Sequence, residues 1–196
     1  WMLRKRKPLA VAFTILLGIS FYGSSLVVAD YYLLEDLKKD NPLRQDYQYF
    51  DQEFMGLRPF ELAVEVKEEG AFITDYEVLK EMNKVEDFLQ SEYGLKQTFS
   101  IVSVLKLANR TEHSGQFKYY TFPTEEETVD YLKRMEKFDK TGQFDVIVDS
   151  TKKFGRIASS HGDIGMLQVQ ELNKKLFAFL DEEVNTDLVE FKLTGT

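Results

Sequence analysis

Cysteine is absent from this 196-residue chain, while histidine occurs twice, tryptophan once and proline four times. The lack of cysteine excludes disulfides, thiolate metal sites and a cysteine nucleophile. Acidic charge is missing from the first 29 residues and in excess after them. Residues 1–29 carry Arg4, Lys5, Arg6 and Lys7 and no acid, whereas residues 30–196 hold 21 basic against 33 acidic groups, a balance of −12. A surface of that sign repels phosphate backbones, so the reading is no nucleic acid partner. Glycine-rich phosphate loops, short-period repeats and low-complexity linkers are also missing. Apolar residues make up 43% of the chain and aromatics 14%, enough to build a core.

Pro8 to Ala29 is a 22-residue run without a charged side chain. At about 1.5 Å per residue it is long enough to cross a hydrocarbon core of about 30 Å. The basic cluster before it places the N-terminus in the cytoplasm and residues 30–196 outside. Tyr31 and Tyr32 sit where interfacial aromatics would anchor the far end. The alternative is a signal peptide cleaved after Val27-Val28-Ala29, but signal cores are shorter, about 7–15 residues. Ala10, Thr14 and Gly18 form a small-residue stripe of the kind that lets a second membrane helix approach. No carboxylate lies in the span, so any proton coupling resides elsewhere. Trp1 ahead of Met2 and the final LTGT both read as cuts in a longer chain, with Met2 as a true start the alternative.

The remainder divides into a juxtamembrane amphipathic connector, 30–56, and an α/β domain, 57–196. Asn41-Pro42 opens a short helix running to about Met55, with Leu43, Tyr47, Phe50 and Phe54 on one stripe. That stripe is expected to serve packing. Phe60 to Val66 alternates as a half-buried strand. A capping box at Thr74–Glu77 opens a helix burying Val78, Leu79, Met82, Val85, Phe88 and Leu89. Residues 97–104 are expected to form a second strand, or a strand running into a short helix, completing a right-handed βαβ unit. Thr124–Glu127 caps another helix with Val129, Leu132, Met135 and Phe138 inward, ended by Thr141-Gly142. Phe144–Val148 and Phe154–Ala158 suggest a hairpin, Gly165–Glu183 a last helix, and Val189–Leu193 a closing strand. The expected fold class is α+β: an N-terminal transmembrane helix followed by a ferredoxin-like (split β-α-β) domain with an inserted helix.

The segment FMGLRPFELAVEV (Phe54 to Val66) after a basic-flanked span and short helix resembles the start of the large periplasmic loop of RND-superfamily exporters, in the MMPL-like, hydrophobe-exporting branch. Leu79 to Asn109 is similar to that family's helix–strand passage, and IASSHGDIGMLQVQELNKKLFAFL with the terminal KLTGT resembles its last helix and strand. The resemblance covers nearly the whole chain, through the order of its motifs, and the GLRPFEL segment suggests the second half of such a transporter. It implies a porter-type domain of a proton-driven exporter of lipids or other hydrophobic molecules. It implies a bacterial inner-membrane location, with the rest of the transporter chain, membrane lipids and hydrophobic cargo as partners. The alternative is a single-pass anchored extracytoplasmic binding module.

No enzyme is expected, and no catalytic, cofactor-binding or metal residue is assigned. Ser159-Ser160-His161-Gly162-Asp163 holds the residue types of a triad, but adjacent loop residues do not converge as a triad must. Asp163 is expected to cap the last helix and His161 to be a loop residue. His113 lacks a partner at metal-ligand spacing, and Glu125-Glu126-Glu127 suits a first helical turn. Asn109-Arg110-Thr111 matches a glycosylation sequon, a pattern frequent by chance. Phe54, Phe60, Tyr119, Tyr120 and Phe122 suggest a passage for an acyl chain, with core packing the ordinary alternative.

Overall fold

The computed structural model describes residues 6–27, 30–138 and 143–195. The chain forms two units, Trp1–Tyr31 and Tyr32–Thr196. In the first, α1 (Arg6–Ser25) is a helix whose 19 residues Lys7–Ser25 are long and apolar enough to cross a membrane. The side chains of Lys7–Ser25 are exposed all round, and Thr14 turns its hydroxyl back to the Ala10 carbonyl at 3.0 Å, within the small-residue stripe.

In the second unit, α2 (Pro42–Glu53) begins as its sequence requires. Asn41 Oδ1 accepts the Leu43 amide at 3.0 Å and proline occupies the first helical position. Strand β1 (Arg58–Val66) buries Phe60, Leu62, Val64 and Val66, the alternation expected of a strand covered on one face. Helix α3 (Tyr76–Ser91) buries Val78, Leu79, Met82, Val85 and Leu89. Each aliphatic side chain so buried contributes about 1.5–3 kcal/mol, which far outweighs helix propensity in fixing α3 on the sheet. The expected capping box at Thr74–Glu77 does not form. Asp75 is the N-cap, without a side-chain bond to the helix, and its carboxylate accepts the Phe72 amide at 2.8 Å instead.

Of the two forms expected for residues 97–104, the structure has the one in which extended chain runs into a short helix. α4 spans Ile101–Glu112, and only Phe99 bridges a strand, antiparallel to Ala158. Ser100 decides the outcome: its hydroxyl accepts the amides of Val102 and Ser103, while the Ser103 hydroxyl accepts the Ser100 amide. This reciprocal cap favours helix one residue beyond the bridge. α5 (Glu125–Phe138) uses the expected Thr124–Glu127 box, and Arg134 pairs with Asp130 at 2.6 Å. It turns Thr128 and Tyr131 inward and leaves Val129 exposed. The helix end expected at Thr141-Gly142 and the side chain of Phe138 lie outside the described residues.

The first arm of the expected hairpin is a 3-10 turn, Gln143–Val146, followed by a single bridge from Val148 to Gly155. Asp149 collects the amides of Thr151, Lys153 and Phe154, closing a tight turn before pairing can lengthen. Strand β2 runs Phe154–His161, α6 spans Met166–Glu183 and β3 spans Val189–Gly195.

The three strands order β2-β1-β3, both neighbours antiparallel to the central β1. No parallel βαβ unit forms between β1 and residues 97–104. Instead β2 and β3 run parallel to one another on either side of β1 and are joined through α6. α3 packs against α4 and α6, and α4 against α5. The architecture is mixed α+β, with a three-stranded antiparallel sheet following one apolar helix. The sheet face bearing Glu61, Glu65, Arg156 and Lys192 is laced by ion pairs, Lys192 to Glu65 at 2.7 Å among them.

Candidate functional site

An open groove of about 540 Å³ runs along α4. Its apolar wall comes from Phe99, Val104 and Leu107, and from Phe117 and Tyr120 of the irregular segment that follows α4. The same Ser100 cap that ends the bridge at Phe99 sets this wall. It starts a helix that turns Ile101, Val102 and Leu105 into the core and Val104 and Leu107 toward the groove. Polar side chains share the lining: Gln90, Lys96, Gln97, Thr98, Ser103 and Arg110. Gln90 Nε2 donates to Thr98 Oγ1 at 3.2 Å, and Lys96 and Arg110 are the two cations of the lining. Arg110 donates to the Gly115 carbonyl at 2.8 Å and lies 5.5 Å from the Phe117 ring centroid. Lys96 donates to the carbonyls of Gln52 and Phe54, each at 2.9 Å. Among the described residues, no carboxylate lines the groove. Burial raises the Tyr120 hydroxyl above the ordinary tyrosine range, with Glu86 adding in the same direction.

Behind the groove wall, α4 holds a buried polar network. Glu86 of α3 is fully buried, accepts from Ser100 Oγ and lies 3.5 Å from Lys106 Nζ. Lys106 also reaches Asp87 at 3.0 Å. Desolvation pushes the Glu86 carboxyl above its usual range, against the pull of Lys106 and Ser100. Ser103 stands three residues before Lys106, a spacing used by some acylating serines. Here the Ser103 hydroxyl donates to the Ser100 carbonyl and Lys106 is turned to carboxylates, so the pair is a cap beside an ion pair, not a nucleophile with its base.

The residues singled out in the sequence do not converge. His161 is the last residue of β2 rather than a loop residue, and it is buried, with Nδ1 2.8 Å from the Gly162 carbonyl oxygen. Ser159 donates to the Gln97 carbonyl and Ser160 to the Met55 carbonyl, so neither addresses the imidazole. Asp163 does not cap α6, whose N-cap is Gly165. It pairs with Arg58 at 2.8 Å. His113 stacks on Tyr119 with ring centroids 3.9 Å apart and its Nδ1 2.9 Å from the Asn109 carbonyl oxygen. Asn109 is buried and donates to the Thr121 carbonyl at 3.1 Å, so the sequon amide is already engaged.

The five aromatics proposed for a passage scatter. Phe60 is in the core, Phe122 stacks on Tyr76, Phe54 is exposed at the end of α2, and only Tyr120 lines the groove. The groove residues Phe99 and Val104 lie in the stretch read as a strand or a strand running into a short helix, and Leu107 and Phe117 lie beyond it, where no element was assigned. The signal that exposes them is Ser100-x-x-Ser103 ahead of a run with helical spacing. No known family model matches the sequence, and no curated protein or solved structure is significantly similar to it.

Proposed function

We propose that the chain is a membrane-anchored, extracytoplasmic porter-type piece of an RND-type exporter, in which the groove along α4 meets hydrophobic cargo. α1 spans the bacterial inner membrane with the basic residues on the cytoplasmic side, and residues 30–196 lie outside. The observation that carries this reading is the order of parts. One apolar span precedes an α+β domain whose β2-α6-β3 unit straddles β1, with Phe99 pairing on the outer side of β2. This order supports reading the domain as ferredoxin-like (split β-α-β), its second strand reduced to one bridge and helices inserted after it.

The groove suits an amphiphile better than a polar metabolite. It is open along one side, an aromatic and aliphatic strip (Phe99, Val104, Leu107, Phe117) runs beside its polar side chains, and its charged groups are the cations Lys96 and Arg110. An acyl chain would lie on Phe99, Leu107 and Phe117 with an acidic head toward a cation. The domain guides cargo without a catalytic step, and energy coupling belongs to membrane segments other than α1.

The coding sequence beyond residue 196 tests the transporter assignment. An open frame running into about 20 apolar residues and further spans is the expected result. A stop codon directly after Thr196 would sink it and leave an anchored binding module. For the groove, Leu107→Glu should reduce binding of a radiolabelled long-chain fatty acid at least several-fold, and unchanged binding would remove the cargo role.

A further inference from the structure

The two cations of the α4 groove differ in what they still offer a ligand. Lys96 belongs to the segment leading into α4, and Arg110 to the helix's last turn. Lys96 is exposed, and its ammonium already donates to the Gln52 and Phe54 carbonyls. Arg110 is half-buried and gives its Nε to the Gly115 carbonyl at 2.8 Å. Its two terminal amino groups have no hydrogen-bond or ion-pair partner among the described residues.

The chain after α4 brings a second donor to the same end. Ser114 and Gly115 both take left-handed backbone, with φ of +58° and +75°, and turn the chain back. The returning segment is tied down by the stack of His113 on Tyr119 and by Asn109, which donates to the Thr121 carbonyl. Phe117 thereby lies 5.5 Å from the Arg110 guanidinium carbon and 6.1 Å, ring to ring, from Tyr120. Tyr120 is half-buried, and its hydroxyl has no partner among the described residues. Burial and the charge of Glu86 keep that hydroxyl protonated and so a donor, while the charge of Arg110 reaches it in the opposite sense.

We infer that Arg110 and Tyr120 form a head subsite at this end of the groove, which takes one carboxylate, as on a fatty acid, with the chain lying on Leu107, Val104 and Phe99. The inference rests on the groove being a cargo surface; it adds the head that the surface selects and the cation that holds it. Charge argues for an anion, because the lining has two cations and, among the described residues, no carboxylate, within a region whose balance is −12. The donors argue for a carboxylate. The free end of a guanidinium presents two parallel N–H groups, a fork that fits the two oxygens of one carboxylate. The tyrosine hydroxyl adds a third donor, whereas a phosphate dianion would keep much of its charge unmatched. Midway along the groove nothing competes for the head, since the Ser103 hydroxyl is bonded within the Ser100 cap.

The full chain in phosphatidylcholine nanodiscs would be photolabelled with dodecanoic acid bearing a diazirine midway along its chain, and with the matching alcohol. Mass spectrometry of peptides covering residues 99–120 reads adducts in the groove as the free aqueous probe is raised. On the parent chain the acid should half-saturate several-fold below the alcohol. Arg110→Gln should raise the acid's value about tenfold, the loss expected for a charge-assisted fork. The same variant should leave the alcohol's value unchanged, which shows the groove intact. Tyr120→Phe should raise the acid's value a few-fold, and Lys96→Gln should change neither probe. Equal values for acid and alcohol on the parent overturn the head subsite and leave the groove as a cargo surface. A loss with Lys96→Gln as large as with Arg110→Gln overturns the choice of cation. Loss of both probes with Arg110→Gln makes that residue part of the wall and overturns its role at the head. Tighter labelling by the matching alkyl phosphate contradicts the carboxylate. No adduct with either probe overturns the groove reading and the head subsite together.

Discussion

Arg58 Nε and Asp163 Oδ1 form a 2.8 Å ion pair across the start of β1 and the end of β2, with only 11% and 8% of the side chains exposed. The pair is the hub of a junction. Asp163 also accepts the Leu34 amide, while the Asp163 amide is held by Asp51 of α2. Three segments far apart in sequence therefore meet on one residue, Arg58 and Leu34 at its carboxylate and Asp51 at its amide. Asp163→Ala removes its bonds to Arg58 and Leu34 and is expected to cost about 3 kcal/mol, since bonds to charged groups contribute about 1.5–3 kcal/mol each. Urea titration of the variant should show a lower midpoint with an unchanged slope. A midpoint equal to that of the parent would mean the junction adds nothing to stability.

The same junction explains one glycine. Gly56 has φ +97°, and a Cβ there would fall 2.2 Å from the His161 carbonyl carbon and 2.5 Å from the Gly162 nitrogen. Both obstacles are backbone, so no side chain can swing aside. Gly70 has a similar φ of +88° but open space around it. Gly70→Ala therefore bears conformational strain alone, about 1 kcal/mol, whereas Gly56→Ala adds a clash with the end of β2. The ratio of the two losses, from thermal melts, separates the effects. Equal losses would show that the contact with His161 yields freely.

Much of the domain is legible in local sequence. Phe60 to Val66 and the α3 stripe follow from periodicity, and Asn41-Pro42 and Thr124–Glu127 from capping chemistry. The misreadings share a cause. At Ser100, and again at Asp149, a side chain captures nearby amides and ends a strand after one bridge, and alternation cannot foresee that. The α2 stripe was legible as amphipathic, but its exposure was not. Periodicity shows that a helix has two faces, and only the structure shows Leu43, Tyr47, Phe50 and Phe54 exposed while Arg44 and Asp51 bond to the domain. The groove was invisible for a related reason, because most of its wall lies on α4 and the turn after it, where periodicity assigned no element.

The buried network of Glu86, Ser100 and Lys106 yields a third expectation. Breaking a buried pair by removing one partner costs about 3–5 kcal/mol, while replacing both by apolar or neutral groups of similar size is often nearly neutral. Lys106→Met alone leaves Glu86 buried without its cation, so it should be strongly destabilising. Its carboxyl, already raised by burial, would then take up a proton in the folded state, so the loss should shrink as pH falls. Adding Glu86→Gln to Lys106→Met should recover most of the stability. A double-mutant cycle by chemical denaturation measures this, and strict additivity of the two single losses would refute the coupling.

His161 gives the last expectation, and its sign follows from its surroundings. Burial holds the imidazole below its ordinary value of 6.5; Arg58 acts in the same direction, while the Gly162 carbonyl, Asp51 and Asp163 oppose. The ring is buried with Nε2 unpartnered among the described residues, surroundings that disfavour the charged form. The unfolded chain protonates near 6.5, and the folded chain only at lower pH. Between those two values the unfolded state binds more protons, so stability falls as pH drops through 6.5 and levels off below the folded value. His161→Gln removes the titrating group while retaining a polar side chain. Denaturant midpoints at pH 7.5 and 5.5 should therefore differ more for the parent than for the variant. Carboxylates titrate mostly below that interval, so they affect both proteins alike. Equal falls in the two proteins would show that His161 is protonated as readily in the fold as in the unfolded chain.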